Sequence, residues 1–330
     1  MKTFLVLLLL VPSLSLAEIY NGTLIDAHSQ KGSLISAELL SKKINEVDVD
    51  YTLLSFRQSP SKIKQDLKII QNSTNDKVRY LIPTKLFKFT QKNSDPKLLI
   101  NELNKFVTNM KKSKIDYVGF GEIIVQHAPH NHKKLKYEGI NLDLSSKRIT
   151  SAIDIVLGDK KPVILHVELN DYEDDSKKIL KQLIDLAKRN PNDNFLLMHM
   201  AQIEFDEAAL IIKQTNNIHF ITSHADNETF MRMKNKEKGH SQSGWINMFD
   251  EYNNLNKNWM ELMNENPRRF VLALDNVFDG HWLRGYATRV FIWRKALSSL
   301  DKQTALLIAC GNANDYFKLD IKCLEERSQF

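Results

Sequence analysis

Past an apolar start, the chain alternates between two hydrophobic rhythms. Short apolar runs fall at residues 23–26, 51–56, 78–82, 117–123, 162–167, 195–198, 218–221 and 270–274. Each is followed by a polar or Gly-bearing turn and then, in most cases, by a stretch with apolar residues three and four apart. Such stretches include 61–71, 96–111, 176–189 and 204–214. In the last, Phe205, Ala208, Ala209 and Ile212 share one helical face. Strands alternating with helices predict parallel βαβ units. Eight units in a chain of this length suit a closed (β/α)8 barrel of the TIM type. The rival is an open doubly wound sheet, and no Gly-rich nucleotide-binding turn follows the first strand to support it.

Two connections exceed the rest. Residues 126–141 follow the fourth strand, and residues 224–255 follow the seventh and include Gly239-His240-Ser241-Gln242-Ser243-Gly244-Trp245. Long loops on the C-terminal side of barrel strands are where such folds keep substrate-binding elements. A solvated insertion is the alternative for each.

The first seventeen residues follow a different logic. Met1-Lys2 is a short positive start, residues 4–11 are apolar, and Ser15-Leu16-Ala17 is the small-x-small pattern of a signal-peptidase site. The apolar run is shorter than the ~20 residues a membrane span requires. Residues 1–17 are therefore expected to be a signal peptide, with export to a periplasm or the exterior and a mature chain, residues 18–330, forming one barrel domain. No later run is long enough to span a membrane.

Composition narrows the class further. Apolar residues make up 42% and charged residues 26%, the values of an ordinary globular protein. The net charge of +6 is well mixed, with short clusters at Lys111-Lys112 and Lys133-Lys134. A solvated surface explains these better than nucleic-acid binding, which needs a concentrated stripe. Cys310 and Cys323 are the two cysteines. An oxidising compartment permits a bridge between them, but sequence does not test its geometry.

The chemistry lies in what ends the strands. His28 follows the first, Glu122 ends the fourth, His166 the fifth, His199 the sixth and Asp275 the eighth. Taken singly, each has a structural reading: a hydrogen-bonded histidine, a surface carboxylate, a helix cap. Together they converge on one barrel mouth, although more than two hundred residues separate the first from the last. Buried there, they would be costly unless something balanced their charge. A divalent cation does so, and imidazole with carboxylate is the mixed set zinc accepts.

The segments Leu24-Ile25-Asp26-Ala27-His28-Ser29-Gln30, Gly121-Glu122-Ile123, Pro162-Val163-Ile164-Leu165-His166, Leu197-Met198-His199 and Leu274-Asp275 resemble the strand-end motifs of the amidohydrolase superfamily. The closer resemblance is to its amidohydrolase-related branch. Gly311-Asn312-Ala313-Asn314-Asp315-Tyr316-Phe317-Lys318-Leu319 is similar to the Asn-Ala…Phe-x-Leu ending of that branch. One departure matters: the usual His-x-His after the first strand is His28-Ser29-Gln30 here, and glutamine is a poor ligand. The resemblance then implies a single metal, zinc first, on Glu122, His166 and His199.

On that reading the fourth coordination position is left to water, whose pKa falls from about 15.7 toward 7. Asp275 would be the general base, with His28 and Gln30 orienting the water or polarising the substrate. The reaction would be hydrolysis of a C–N, C–O or P–O bond of a small molecule, or decarboxylation. His224 ends the seventh strand and, with Trp282 and Arg284 after the eighth, is a candidate for substrate binding; an arginine there suits a carboxylate or phosphate. His127, His130 and His132 read as an exposed polar loop before they read as a metal-gathering one. Two other classes compete: a non-catalytic binding barrel that has lost its metal, and a metal-free glycosidase-like pair of Glu122 and Asp275. Protein recovered from its native host should begin at Glu18 on N-terminal sequencing; an intact Met1 in a cytoplasmic fraction would contradict export.

Overall fold

The computed structural model describes residues 19–57, 60–83, 96–112, 115–132, 135–227 and 244–327. The expected signal peptide, the Lys133-Lys134 cluster and residues 239–243 of the long loop lie outside them. Among the described residues no helix is long and apolar enough to cross a membrane.

The chain is α/β, with its main strands parallel. Four of them, β1 (Ile25–Lys31), β2 (Tyr51–Phe56), β3 (Val78–Ile82) and β4 (Gly119–Phe120), form one sheet in that order. After β5 (Ile123–Ile124) come four short strands that pair antiparallel: β6 (Gln126–His127) with β9 (Ile140–Asn141), and β7 (His130–His132) with β8 (Leu135–Tyr137). The region expected as an irregular loop is thus two small ribbons. The second parallel sheet runs β5, β10 (Val163–His166), β11 (Phe195–Leu197), β12 (Ile218–Ile221) and β13 (Phe270–Val271).

The two sheets meet at both edges. β4 and β5 are one stretch of chain interrupted only by Gly121-Glu122, and it pairs with β3 on one side and β10 on the other. At the far side, residues beyond β13 hydrogen-bond to β1. Ala27 N–H donates to the Leu272 carbonyl (3.0 Å), Asp275 N–H to that of His28 (2.9 Å) and Gln30 N–H to that of Asn276 (2.8 Å).

Strand side chains alternate between two apolar clusters, as the period of two demands. Val163, Leu165, Phe195, Leu197, Phe220 and Phe270 pack with helix residues such as Ile149, Leu183 and Ile211. Ile25, Ala27, Leu53, Leu81, Ile164, Leu196, Ile221 and Val271 form the other cluster, shared with Cys310, Ala313, Phe317 and Leu319 near the C-terminus. The C-terminal segment therefore closes the strands' N-terminal end. Asn312 Nδ2 donates to the carbonyls of Pro267 (2.7 Å) and Phe270 (2.8 Å). A Cβ on Gly119 would lie 3.1 Å from the Phe317 ring, so a larger residue there would push the plug out. Cys310 and Cys323 are bonded, their Cα atoms 5.8 Å apart across 13 residues, and pin this plug.

With apolar residues filling one end of the inner cluster, the buried ionisable groups Glu122, His166, His199 and Asp275 gather at the other. Cys323→Ser should cost about 2–4 kcal/mol, the usual worth of a short-loop bridge, in a denaturant titration. Equal midpoints for wild type and variant, with and without reductant, would contradict the pinning.

Candidate metal centre

The site begins with an irregularity in β1. Ile25 and Ala27 face the inner cluster, so strict alternation would turn His28 and Gln30 outward. Between Asp26 and Ser29, however, the pairing with β2 slips: Asp26 opposes Thr52 while Ser29 opposes Leu54. One extra residue inverts the phase, as a bulge does, and His28 and Gln30 arrive on the inner side. Asp26 fixes the slip by accepting from Ser29 Oγ (2.5 Å), Leu274 N–H (2.9 Å) and His28 N–H (3.4 Å). Full burial pushes its carboxyl up to about 6. Beyond the bulge, Lys31 turns away to pair with Asp66 at 3.0 Å. Trp282 is buried and its indole N–H donates to the Gln30 carbonyl (3.1 Å), holding the strand tip in place.

Around this tip the other strand ends converge. Glu122 Oε2 lies 2.8 Å from His166 Nδ1, and Glu122 Oε1 accepts from Gln30 Nε2 at 3.1 Å. His166 Nε2 meets Glu168 Oε1 at 2.8 Å. His199 stands edge-on to His166, ring centres 4.8 Å apart, with its Nδ1 2.9 Å from Ser223 Oγ. Asp275 Oδ1 binds His28 Nδ1 (3.1 Å) and Gln30 Nε2 (3.4 Å), while its Oδ2 binds His224 Nε2 (3.1 Å). All of these are buried. Trp245, at the end of the long loop, covers them, its ring centre 5.0 Å from His199 and 5.3 Å from His224.

Three of these residues hold a left-handed backbone: His199 (φ 54°), His224 (φ 59°) and Asp275 (φ 45°). Met200, Ala201 and Gln202 continue it at φ 53–56°. Non-glycine residues avoid this region, and its recurrence at strand tips marks backbone bent to aim side chains.

Burial and charge oppose each other throughout. Burial alone would depress His166, but Glu122 and Glu168 override it and hold the imidazolium up to about 10. Burial would raise Glu122, and His166 instead brings it down to about 2. Glu168, likewise buried, is lowered to about 2 chiefly by the His166 hydrogen bond. His199 meets a carboxylate less closely, its Nε2 3.8 Å from Asp275 Oδ2; burial first, then His166 and His224, lower it to about 3. Burial would lift Asp275 as well, yet its hydrogen bonds from His224 and His28 drive it well below the usual carboxylate range.

Among the described residues, three groups could hold a cation, each with ligand atoms within 4.8 Å of one another: Glu122, His166 and His199; His199, His224 and Asp275; His127, His166 and Glu168. Among the described residues, two ring nitrogens of the cluster, His28 Nε2 and His224 Nδ1, are buried without a hydrogen-bond partner. Because Asp275 accepts from the opposite nitrogen of each ring, these two carry lone pairs when the rings are neutral. Bare, buried lone pairs beside carboxylates are what a cation would satisfy.

The structure thus brings together His28, Gln30, Glu122, His166, His199, His224 and Asp275. Trp282 lies behind the strand, and Arg284 is exposed. His127 is half-buried, stacked on His166 at 5.0 Å. Glu168, Ser223 and Trp245 belong to the cluster without having been singled out as ligands or bases. Its spacing of two from His166 is the signal that could have found Glu168, which lies just past the end of β10.

No protein-family model and no curated protein matches the chain. Solved structures do: two triple-substituted variants of an organophosphorus hydrolase from Deinococcus radiodurans are each 10% identical. Each match covers 91% of this chain and 94% of the other, with TM-scores of 0.54 and 0.55. The likeness is one of fold.

Gly244 lets the long loop seat Trp245. A Cβ there would fall 2.5 Å from Gln202 Oε1 and 2.8 Å from the Asp171 backbone nitrogen. Gly244→Ala should therefore cost about 1–3 kcal/mol, as overpacking does, and shift tryptophan emission. Unchanged stability and emission would show that this seat is loose.

Proposed function

We propose that this chain is an exported, closed (β/α)8-barrel hydrolase of the amidohydrolase-related kind, with residues 18–330 as its single domain. It holds one divalent cation, zinc first, on Glu122, His166 and His199. The observation that carries the reading is how these ligands are prepared. Each imidazole of the group has its other nitrogen occupied, His166 Nε2 by Glu168 and His199 Nδ1 by Ser223. Metal-ligating histidines are oriented in this way. The sheets that meet at both edges support the barrel, and the Cys310–Cys323 bridge suits an oxidising compartment.

When bound, the cation supplies Lewis acidity that polarises the scissile bond and acidifies water. The chain's own residues do the rest. Asp275 holds one nitrogen of His28 and one of His224, leaving His28 Nε2 and His224 Nδ1 as buried lone pairs able to orient a water or accept its proton. Asp275, aimed into the cluster, would act as the general base that takes the water's proton and passes it to the leaving group. Gln30 spans Glu122 and Asp275 with its amide hydrogens, keeping the two carboxylates apart. Trp245 covers the histidines and excludes bulk water.

The substrate is a small molecule cleaved at a C–N, C–O or P–O bond. The organophosphorus hydrolase that shares the fold favours testing P–O esters early. One observation favours a second reading, a ligand-binding barrel without catalysis. Both Asp275 oxygens are already engaged, and a carboxylate held this far below its usual range is a weak base.

Two sets of variants separate the readings. Replacing His166 or His199 by Ala should strip zinc from purified protein, whereas His28→Ala should weaken binding less; equal loss across all three would move the site to the first strand. Asp275→Asn should keep metal near wild type while turnover of the best ester or amide in a panel falls about 10²–10⁴-fold. Loss of metal together with turnover would make Asp275 a ligand and point to two cations. Unchanged turnover would remove it from the mechanism.

A further inference from the structure

His166 is gripped more completely than a ligand needs to be. Glu122 meets Nδ1 and Glu168 meets Nε2, each at 2.8 Å, and the His127 ring stacks on its face with 13° between planes. Two carboxylates on opposite nitrogens compete for the ring's proton once the ring is neutral. Glu122 favours a hydrogen on Nδ1, which would block the lone pair that faces the Glu122–His199 group. Glu168 favours a hydrogen on Nε2, which exposes it. Glu168 is fully buried, and its second oxygen accepts from the backbone N–H of Ala128. Ala128 follows β6, whose His127 carbonyl is in turn held by Tyr172 Oη at 3.0 Å. The carboxylate is therefore anchored from outside the strand that bears His166.

We infer that Glu168 is a positioning residue that fixes His166 with Nε2–H outward and the Nδ1 lone pair toward the cation. The inference rests on the reading of His166 as a ligand. It also ties the β6–β9 ribbon to His166: Ala128 holds Glu168, and Glu168 holds His166, beside the His127 ring stacked on it. In this role Glu168 acts through His166, by setting which nitrogen is offered, and not as a ligand itself.

The test is zinc affinity by competition with a chromogenic chelator, on the full mature chain, for wild type, Glu168→Ala, Glu168→Gln and His166→Ala. Glu168→Ala should weaken zinc by about 10–100-fold, the usual worth of such a partner. Glu168→Gln keeps one acceptor oxygen at nearly the same volume and should lose less, and it carries the test if the alanine variant does not fold. In zinc-loaded, ¹⁵N-histidine-labelled wild type, His166 should show a protonated Nε2 and an unprotonated Nδ1. Affinities within twofold of wild type for both Glu168 variants, while His166→Ala loses zinc, would overturn the positioning role and leave the metal site standing. A protonated Nδ1 in the loaded protein would overturn it too. Undiminished zinc binding by His166→Ala would instead overturn the metal reading and this inference with it.

Discussion

Three buried carboxylates, Glu122, Glu168 and Asp275, share one end of the strands with the imidazoles of His28, His166, His199 and His224. An isolated carboxylate in such a place would be protonated or would unfold its surroundings. Among the described residues, each ion-pair contact that Glu122 and Asp275 make is to a histidine. Imidazole is the one side chain able to answer a carboxylate as a cation, as a neutral donor or as a metal ligand. Without metal, His166 balances Glu122 and Glu168 as an imidazolium. On the proposed reading, a cation would take the place of the proton between His166 Nδ1 and Glu122, while Glu168 keeps its hold on Nε2.

The rest of the fold is arranged so that this end can be polar. The N-terminal end of the strands is filled by Phe317, Ala313 and Cys310 against Leu53, Leu81 and Ile164, which confines the inner apolar cluster to one half. Left-handed backbone at His199, His224 and Asp275 is confined to the other half. Strain of this kind, about 1–3 kcal/mol per residue, persists where surrounding contacts over-determine it. The carbonyl of Ala201 accepts from Leu169 N–H (3.1 Å) and Arg289 reaches the Leu274 carbonyl (2.7 Å), clamping two of the bent segments from outside.

Much of this architecture was legible as apolar runs, because strands buried on both faces read as such. The run at 218–221 matches β12, and that at 78–82 matches β3. The first strand was misplaced: the apolar run stops at Asp26, but β1 continues to Lys31. Its last residues are polar yet buried, each satisfied by a partner far along the chain: Ser29 by Asn276, Gln30 by Glu122, Lys31 by Asp66. The bulge that turns His28 and Gln30 inward leaves no mark in the sequence, since it depends on pairing with β2. Glu168 shows why part of a site stays hidden. Its role depends on Ala128, forty residues earlier, and no local spacing links the two.

The prepared donors of Glu122, His166 and His199 support the proposed account of a barrel whose mouth is a charge-balanced cage for a cation. Anomalous diffraction at the zinc edge, from crystals of the mature chain grown with zinc, tests it most directly. The account predicts a single anomalous peak among Glu122 Oε2, His166 Nδ1 and the His199 ring. A peak among His199, His224 and Asp275 alone, or no peak at saturating zinc, would contradict it.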